Sequence, residues 1–180
     1  PPWSTLLFRK LLLNPEFQQI FIQRFASCFN TLFNPDRVVA LIDRYKKEIE
    51  PEMPDHIERW DHPASMKEWE SNIQKMISFA KLRPRLLQKF IQRKFSLGNQ
   101  VDVSLTVSEE GKGSIYVNDI PLTENHITTP YYEDLPIQVK AVPKSGYRFL
   151  RWEEMTETKL DTLTQIVKPG LSLTAVFEKG

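Results

Sequence analysis

The residues that could do chemistry fall into a few groups. His56 and His62 stand six apart in a stretch broken by Pro51, Pro54 and Pro63, and each follows an aspartate, Asp55 or Asp61. Two metal ligands on one helix face want a spacing of three or four. The spacing here favours solvated or locally hydrogen-bonded imidazoles. His126 is expected in a loop. The acids Glu48, Glu50, Glu52, Asp55, Glu58 and Asp61 are dense, but acid–base work by paired carboxylates needs a cleft and one raised pKa. Neither is legible here, so a solvated connector is the simpler reading. From Lys75 to Lys94 there are seven basic residues (Lys75, Lys81, Arg83, Arg85, Lys89, Arg93, Lys94) and no acid. A phosphate-facing stripe would read this way. The only aromatics among them, Phe79 and Phe90, go with the apolar face, so a solvated helix face is preferred and nucleic acid is disfavoured as a partner.

Tyr131, Tyr132 and Trp152 are the candidate ligand or partner surface, because aromatics on strands can stack sugars. A core role competes with this. Tyr147, Phe149 and Trp152 cannot share one face of a regular strand. A bulge after Phe149 would return Trp152 to the face of Phe149 and let it pack with Ile115, Val139 and Phe177. No Gly-rich phosphate loop, nucleophile elbow or His-Glu-x-x-His helix occurs. Gly111-Lys112-Gly113 is a turn. No catalytic, cofactor-binding or metal-binding residue is assigned, and no cofactor is expected for this chain. Cys28 stands alone, so neither an internal disulfide nor a cysteine zinc cage can form.

The elements that must position these groups change character midway. Residues 1–98 read as helices. Ser4 can cap a short helix through Leu13 whose apolar residues wrap most of its circumference. Asn14-Pro15-Glu16 and Asn34-Pro35-Asp36 are helix starts: an N-cap, proline at the first helical position and an acid in the first turn. Phe17, Phe21, Phe25 and Phe29 make the stripe of one helix; Val38, Leu41, Ile42, Tyr45 and Ile49 that of the next. Glu50 to Pro63 is a connector with one short helix. Ser65 and Glu68 form a capping box. Pro84 ends that helix or starts another, and Gly98 is the C-terminal stop.

From residue 99 the period becomes two. Val101, Val103, Leu105 and Val107 alternate with polar residues. Ile115 to Val117, Ile137 to Ala141 and Tyr147 to Trp152 follow as strands. Leu163 to Val167 is expected to pair with Leu171 to Glu178 through Lys168-Pro169-Gly170, a type II turn with Pro at i+1 and Gly at i+2. The fold class is therefore α+β with segregated domains: a helical bundle at 1–98, then a small, mainly antiparallel β module at 99–180, β-grasp-like or a small sandwich.

Charge divides at the same place. Residues 1–98 carry 16 Lys/Arg against 11 Asp/Glu, a balance of +5; residues 99–180 carry 8 against 12, or −4. The chain opens Pro1-Pro2-Trp3 without an initiator Met, which reads as a fragment or a processed product. There is no signal peptide pattern. No apolar run approaches the ~20 residues of a membrane helix.

Against this background the helical half shows a resemblance. Leu6-Leu7-Phe8-Arg9-Lys10-Leu11-Leu12, Asn14-Pro15-Glu16-Phe17, Phe21-Ile22-x-Arg24-Phe25-Ala26, Ile49-Glu50-Pro51-Glu52-Met53-Pro54 and His56-Ile57-x-Arg59-Trp60 resemble the C-terminal part of CotH-type, spore-coat kinase-like proteins, over roughly residues 3–97. Asp55 departs from the basic residue expected there. The β half resembles a bacterial surface repeat of the internalin B-type, divergent class, over about 101–178. The matching residues are Gly111-x-Gly113-x-Ile115-x-Val117-Asn118, Pro136-Ile137-x-Val139-x-Ala141-x-Pro143, Gly146-Tyr147-x-Phe149-x-x-Trp152 and Leu173 to Phe177. Asp119 stands where glycine is expected.

The first resemblance implies an atypical kinase fold using ATP and a divalent metal, with its lysine and metal-binding acids upstream; no residue here matches them. The expectation is a non-catalytic C-terminal fragment of a secreted or cell-surface protein, giving structural support and an adhesion or spacer module. The alternative is helical support for a kinase whose active site lies upstream in a parent chain. Implied partners are that upstream kinase-like domain and a cell-surface protein or glycan. The implied location is extracellular or the bacterial surface.

Overall fold

A computed structural model describes residues 3–180; Pro1 and Pro2, the first residues of the opening noted above, lie outside the described residues. Five α-helices precede eight strands: α1 (Leu6–Leu11), α2 (Pro15–Asn30), α3 (Pro35–Ile49), α4 (Met53–Trp60), α5 (Met66–Lys94), β1 (Gln100–Val107), β2 (Gly113–Val117), β3 (Ile120–Pro121), β4 (His126–Tyr132), β5 (Pro136–Pro143), β6 (Tyr147–Trp152), β7 (Thr162–Ile166) and β8 (Ser172–Lys179). Helices followed by mainly antiparallel sheets are the expected class.

Two compact units form. One comprises the described residues up to Thr31 together with Ile91–Gly180; the other is Leu32–Phe90. The first unit thus takes in α1, α2 and the last turn of α5 as well as every strand.

In that unit the strands form two four-stranded sheets, β4-β1-β8-β6 and β3-β2-β5-β7. Their inward residues meet in one core, as in a small sandwich: Val103, Leu105 and Val107; Ile115 and Val117; Ile137, Val139 and Ala141; Leu173, Ala175 and Phe177. The period-two alternation placed these side chains on one face. All pairings are antiparallel except β1 with β8, which run parallel from Ser104↔Ser172 to Val107↔Ala175.

Several expectations are corrected. Leu163–Val167 and Leu171–Glu178 do not form a hairpin. β7 pairs with β5, and β8 with β1 and β6. The type II turn is present, with Gly170 at φ 82° and the Leu171 N–H donating to the Lys168 carbonyl (3.1 Å). It carries the chain from one sheet to the other, because turn chemistry fixes a reversal and not the pairing partner. His126 begins β4 and is not in a loop; its Nδ1 lies 2.8 Å from Thr106 Oγ1 on β1. Pro130 obscured that strand, but β4 is an edge, where proline is tolerated.

In the helical part, α1 stops at Leu11 without a side-chain cap. Pro84 neither ends nor starts a helix; it lies inside the 29-residue α5. Trp69 and Ile73 before it and Ile91 after it are packed into apolar clusters, which outweighs the lost backbone hydrogen bond. The left-handed terminator of α5 is Ser96 (φ 50°), not Gly98. The Leu97 N–H donates to the Gln92 carbonyl (3.0 Å) and the Ser96 N–H to that of Arg93 (3.4 Å), a Schellman closure.

The second unit is held by a smaller cluster. Met53, Trp69 and Ile73 are buried, with Ile42, Ile57, Met66 and Ile77 packed against them. Both Asn-Pro starts behave as read: Asn14 Oδ1 accepts from the Phe17 N–H (3.0 Å), and Asn34 Oδ1 from the Asp36 N–H (3.0 Å). The capping box is half as expected. Ser65 Oγ accepts from the Glu68 N–H (3.2 Å), while the Glu68 carboxylate takes the Ala64 N–H (2.9 Å).

Candidate functional site

The three aromatic residues proposed as a surface are all buried: Trp152 at 0% exposure, Tyr131 at 0% and Tyr132 at 1%. They present no platform to a sugar, which corrects the surface reading. The register of β6 against β8 shifts between Phe149 and Arg151. This bulge turns Trp152 inward, 5.5 Å from Phe149 between ring centroids. It shares the core with Ile115, Val139 and Phe177. The indole N–H, which would be costly to bury unpaired, donates to the Leu160 carbonyl (3.1 Å).

His56, His62 and the acids from Glu48 to Asp61 lie in the second unit. His56 Nε2 is 3.1 Å from the His62 carbonyl oxygen, a local contact. Among the described residues no three of His, Cys, Asp or Glu are gathered as a cation would need. The basic side chains from Lys75 to Lys94 are exposed, interleaved with exposed Met76, Phe79, Leu82, Leu86 and Phe90.

The densest polar constellation is elsewhere, where α2 meets the strands of its own unit. The phenylalanine stripe of α2 is only half-buried. The fully buried face is Ile22, Gln23, Ala26, Ser27 and Asn30. Hydropathy conceals such a face, since three of the five residues are polar. The signal is their recurrence at i, i+1, i+4, i+5 and i+8, which tracks one side of a helix. Small side chains bring the helix backbone close to β4, and the polar ones meet strand groups that would otherwise be buried unpaired.

Each contact follows from that approach. Gln23 Nε2 donates to the carbonyls of Tyr132 (3.4 Å) and Leu135 (3.3 Å). Asn30 Nδ2 donates to the Pro130 carbonyl (2.7 Å). Ser27 Oγ lies 3.0 Å from the Gln23 carbonyl, 3.2 Å from the Tyr131 hydroxyl and 3.0 Å from Asn118 Nδ2. A serine hydroxyl has one proton and two lone pairs. The carbonyl takes the proton, so Tyr131 and Asn118 donate. Burial pushes the Tyr131 phenol above its ordinary pKa, with the Ser27 contact opposing, and Tyr131 keeps the proton it donates. Burial pushes Tyr132 up to about 12. Partial burial also raises the Cys28 thiol, less the pull of Arg24. Gln23 Oε1 is the one side-chain atom of this face that is buried without a protein partner.

The β2–β3 turn completes the constellation. Val117 pairs with Ile120 across Asn118-Asp119, which have φ of 50° and 64°, the type I′ pattern. Asn118 is fixed through Gln138: its N–H donates to the Gln138 carbonyl (2.8 Å), and its Oδ1 accepts the Gln138 N–H (2.9 Å). Asp119 reaches Arg24 of α2 at 3.0 Å. Beside this pair an open groove of about 470 Å³ is lined by Glu16, Ile20, Arg24, Asp119, Gln138 and Thr164, among others. Chemically the constellation recognises and holds; it has no nucleophile paired with a base.

Comparison with known proteins agrees with the resemblances read from the sequence. Residues 1–87 match the family described as CotH kinase protein. Residues 103–180 match the divergent InlB B-repeat domain. No curated protein and no solved structure matches the chain. No helix among the described residues is long and apolar enough to cross a membrane. Residues 1–87 are thus similar to CotH kinase proteins, and residues 103–180 to the divergent InlB B-repeat domain.

Proposed function

We propose that this chain is a non-catalytic part of a secreted or cell-surface CotH-type protein, in which the repeat serves as a structural spacer or adhesion module. The observation that carries this reading is where the polar and aromatic residues of the module are used. Its Tyr131, Tyr132 and Trp152 serve the core, and its best-formed polar constellation is engaged with α2. A module built in this way contributes shape and attachment. Adhesion would use exposed strand surface to meet a cell-surface protein or glycan.

The test is an ATP turnover assay on the purified chain with a divalent metal. Turnover should equal that of a heat-denatured control. Activity above that control would overturn the reading.

The match of residues 1–87 to a kinase family favours a second reading. Here the helices support phosphotransfer in a longer chain whose lysine, ATP contacts and metal-binding acids lie outside these 180 residues. That reading predicts that the chain raises turnover when added to the rest of its parent protein.

A further inference from the structure

We propose that the face of the repeat module formed by Tyr131, the Asn118-Asp119 turn and the carbonyls of Pro130, Tyr132 and Leu135 is a helix-recognition site, occupied here by α2 of the CotH-type segment.

Three observations carry this. First, the contacts are mutually selective. The helix supplies donors at Gln23 and Asn30 and an acceptor at Ser27; the module supplies carbonyls opposite the first two and the Tyr131 and Asn118 donors opposite the third. Sliding or rotating the helix by one residue would leave several of these groups buried and unpaired, at a cost well above that of losing an exposed pair. The partner the face accepts is thus a helix reading Gln-Arg-x-x-Ser-x-x-Asn, with a small residue at Ala26 beside the serine.

Second, the module holds residues at left-handed backbone angles where side chains are needed. Glycine would relieve the strain at φ 64° on Asp119, but glycine has no carboxylate for Arg24. Asn118, in the other left-handed position, hydrogen-bonds both β5 and Ser27. The turn is shaped for its partner at some expense to itself.

Third, β4 is the edge of its sheet. Its outward carbonyls would otherwise be open to pairing with any strand, and α2 takes two of them, those of Pro130 and Tyr132.

If the face recognises a helix, α2 should remain bound without its peptide connection to α3. The experiment inserts a protease site after the exposed Phe33 in the full chain and cleaves it under native conditions. The piece carrying α1 and α2 should co-elute with the remainder on gel filtration. Tyr131→Phe, which removes only the hydroxyl, should speed its release. Asp119→Gly should release it about two- to five-fold faster, as expected for one exposed ion pair, while leaving the module folded by circular dichroism. Ala26→Arg should prevent retention. Immediate separation of the unsubstituted piece from a folded remainder would overturn the proposal. So would retention unchanged by both Tyr131→Phe and Asp119→Gly, because the helix would then be held by something else. Should Ala26→Arg fail to fold, those two variants still decide.

Discussion

The sheet-containing unit and the Leu32–Phe90 unit invest their apolar residues differently. In the first, alternate strand residues from both sheets are nearly or completely removed from water. In the second, Met53, Trp69 and Ile73 form the buried cluster, while Tyr45, Ile49, Trp60, Met76, Phe79, Leu82, Leu86 and Phe90 remain exposed. A strand has two faces, and the pleat commits each side chain to one of them. A helix spreads a surplus of apolar residues around its circumference, so part of them faces outward whenever one neighbour covers one side. An apolar stripe on a helix therefore measures the capacity to be covered, whereas alternation on a strand inside a closed module comes close to measuring burial itself.

Truncating one tryptophan in each unit should give the largest contrast. Trp152→Ala should cost about 3–5 kcal/mol and unfold the sheets, whereas Trp60→Ala, at a residue 61% exposed, should move stability by no more than about 0.5 kcal/mol. Denaturant melts followed by circular dichroism separate the two. Equal losses would dissolve the contrast.

A smaller effect is expected at Gly113. A Cβ there would overlap the ring of Phe177, which is itself buried. Moving the buried ring disturbs the core around it, so Gly113→Ala should cost about 1–3 kcal/mol. Phe177→Leu should partly restore the double variant relative to the sum of the singles. An unchanged melting temperature for Gly113→Ala would show slack in the core.

The smallest effect is alkaline. The folded phenols of Tyr131 and Tyr132 hold their protons to higher pH than the unfolded chain does, Tyr132 to about 12. A folded pKa raised above the unfolded value gives stability that is complete below about pH 10 and is lost as the pH climbs through the folded value. Denaturant midpoints for the sheet signal should hold up to about pH 10 and then fall. Tyr132→Phe should make the decline shallower, and a slope unchanged by that substitution would assign it to other groups.

How much of this was legible in the sequence depends on the length scale of the signal. Local rules carried far. Both Asn-Pro caps form, the alternation from Val103 to Val107 marks the core face, and the bulge after Phe149 follows from asking how Trp152 could reach its neighbours. Non-local pairing was opaque. Nothing in Lys168-Pro169-Gly170 says that the strands it joins belong to different sheets. The surface assigned to Tyr131, Tyr132 and Trp152 did not materialise, since aromatic residues on a small module are core and platform candidates alike. The polar face of α2 went unread for a related reason. Gln23, Ser27 and Asn30 look solvated until the carbonyls of β4 are known to lie opposite, and hydropathy weighs a side chain without its partner.

One feature of the sheets bears on how the module meets mechanical load. The first and last strands, β1 and β8, are parallel neighbours. Tension applied between Gln100 and Lys179 therefore pulls the two strands past each other along their common axis. The backbone bonds between them, such as Ser104 N–H to the Leu171 carbonyl and Ser108 N–H to the Ala175 carbonyl, are strained together, not opened one after another as at the end of a hairpin. A domain strung in a chain that is tugged from both ends gains from this geometry. It yields by shear, and shear demands that the whole ladder fail at once.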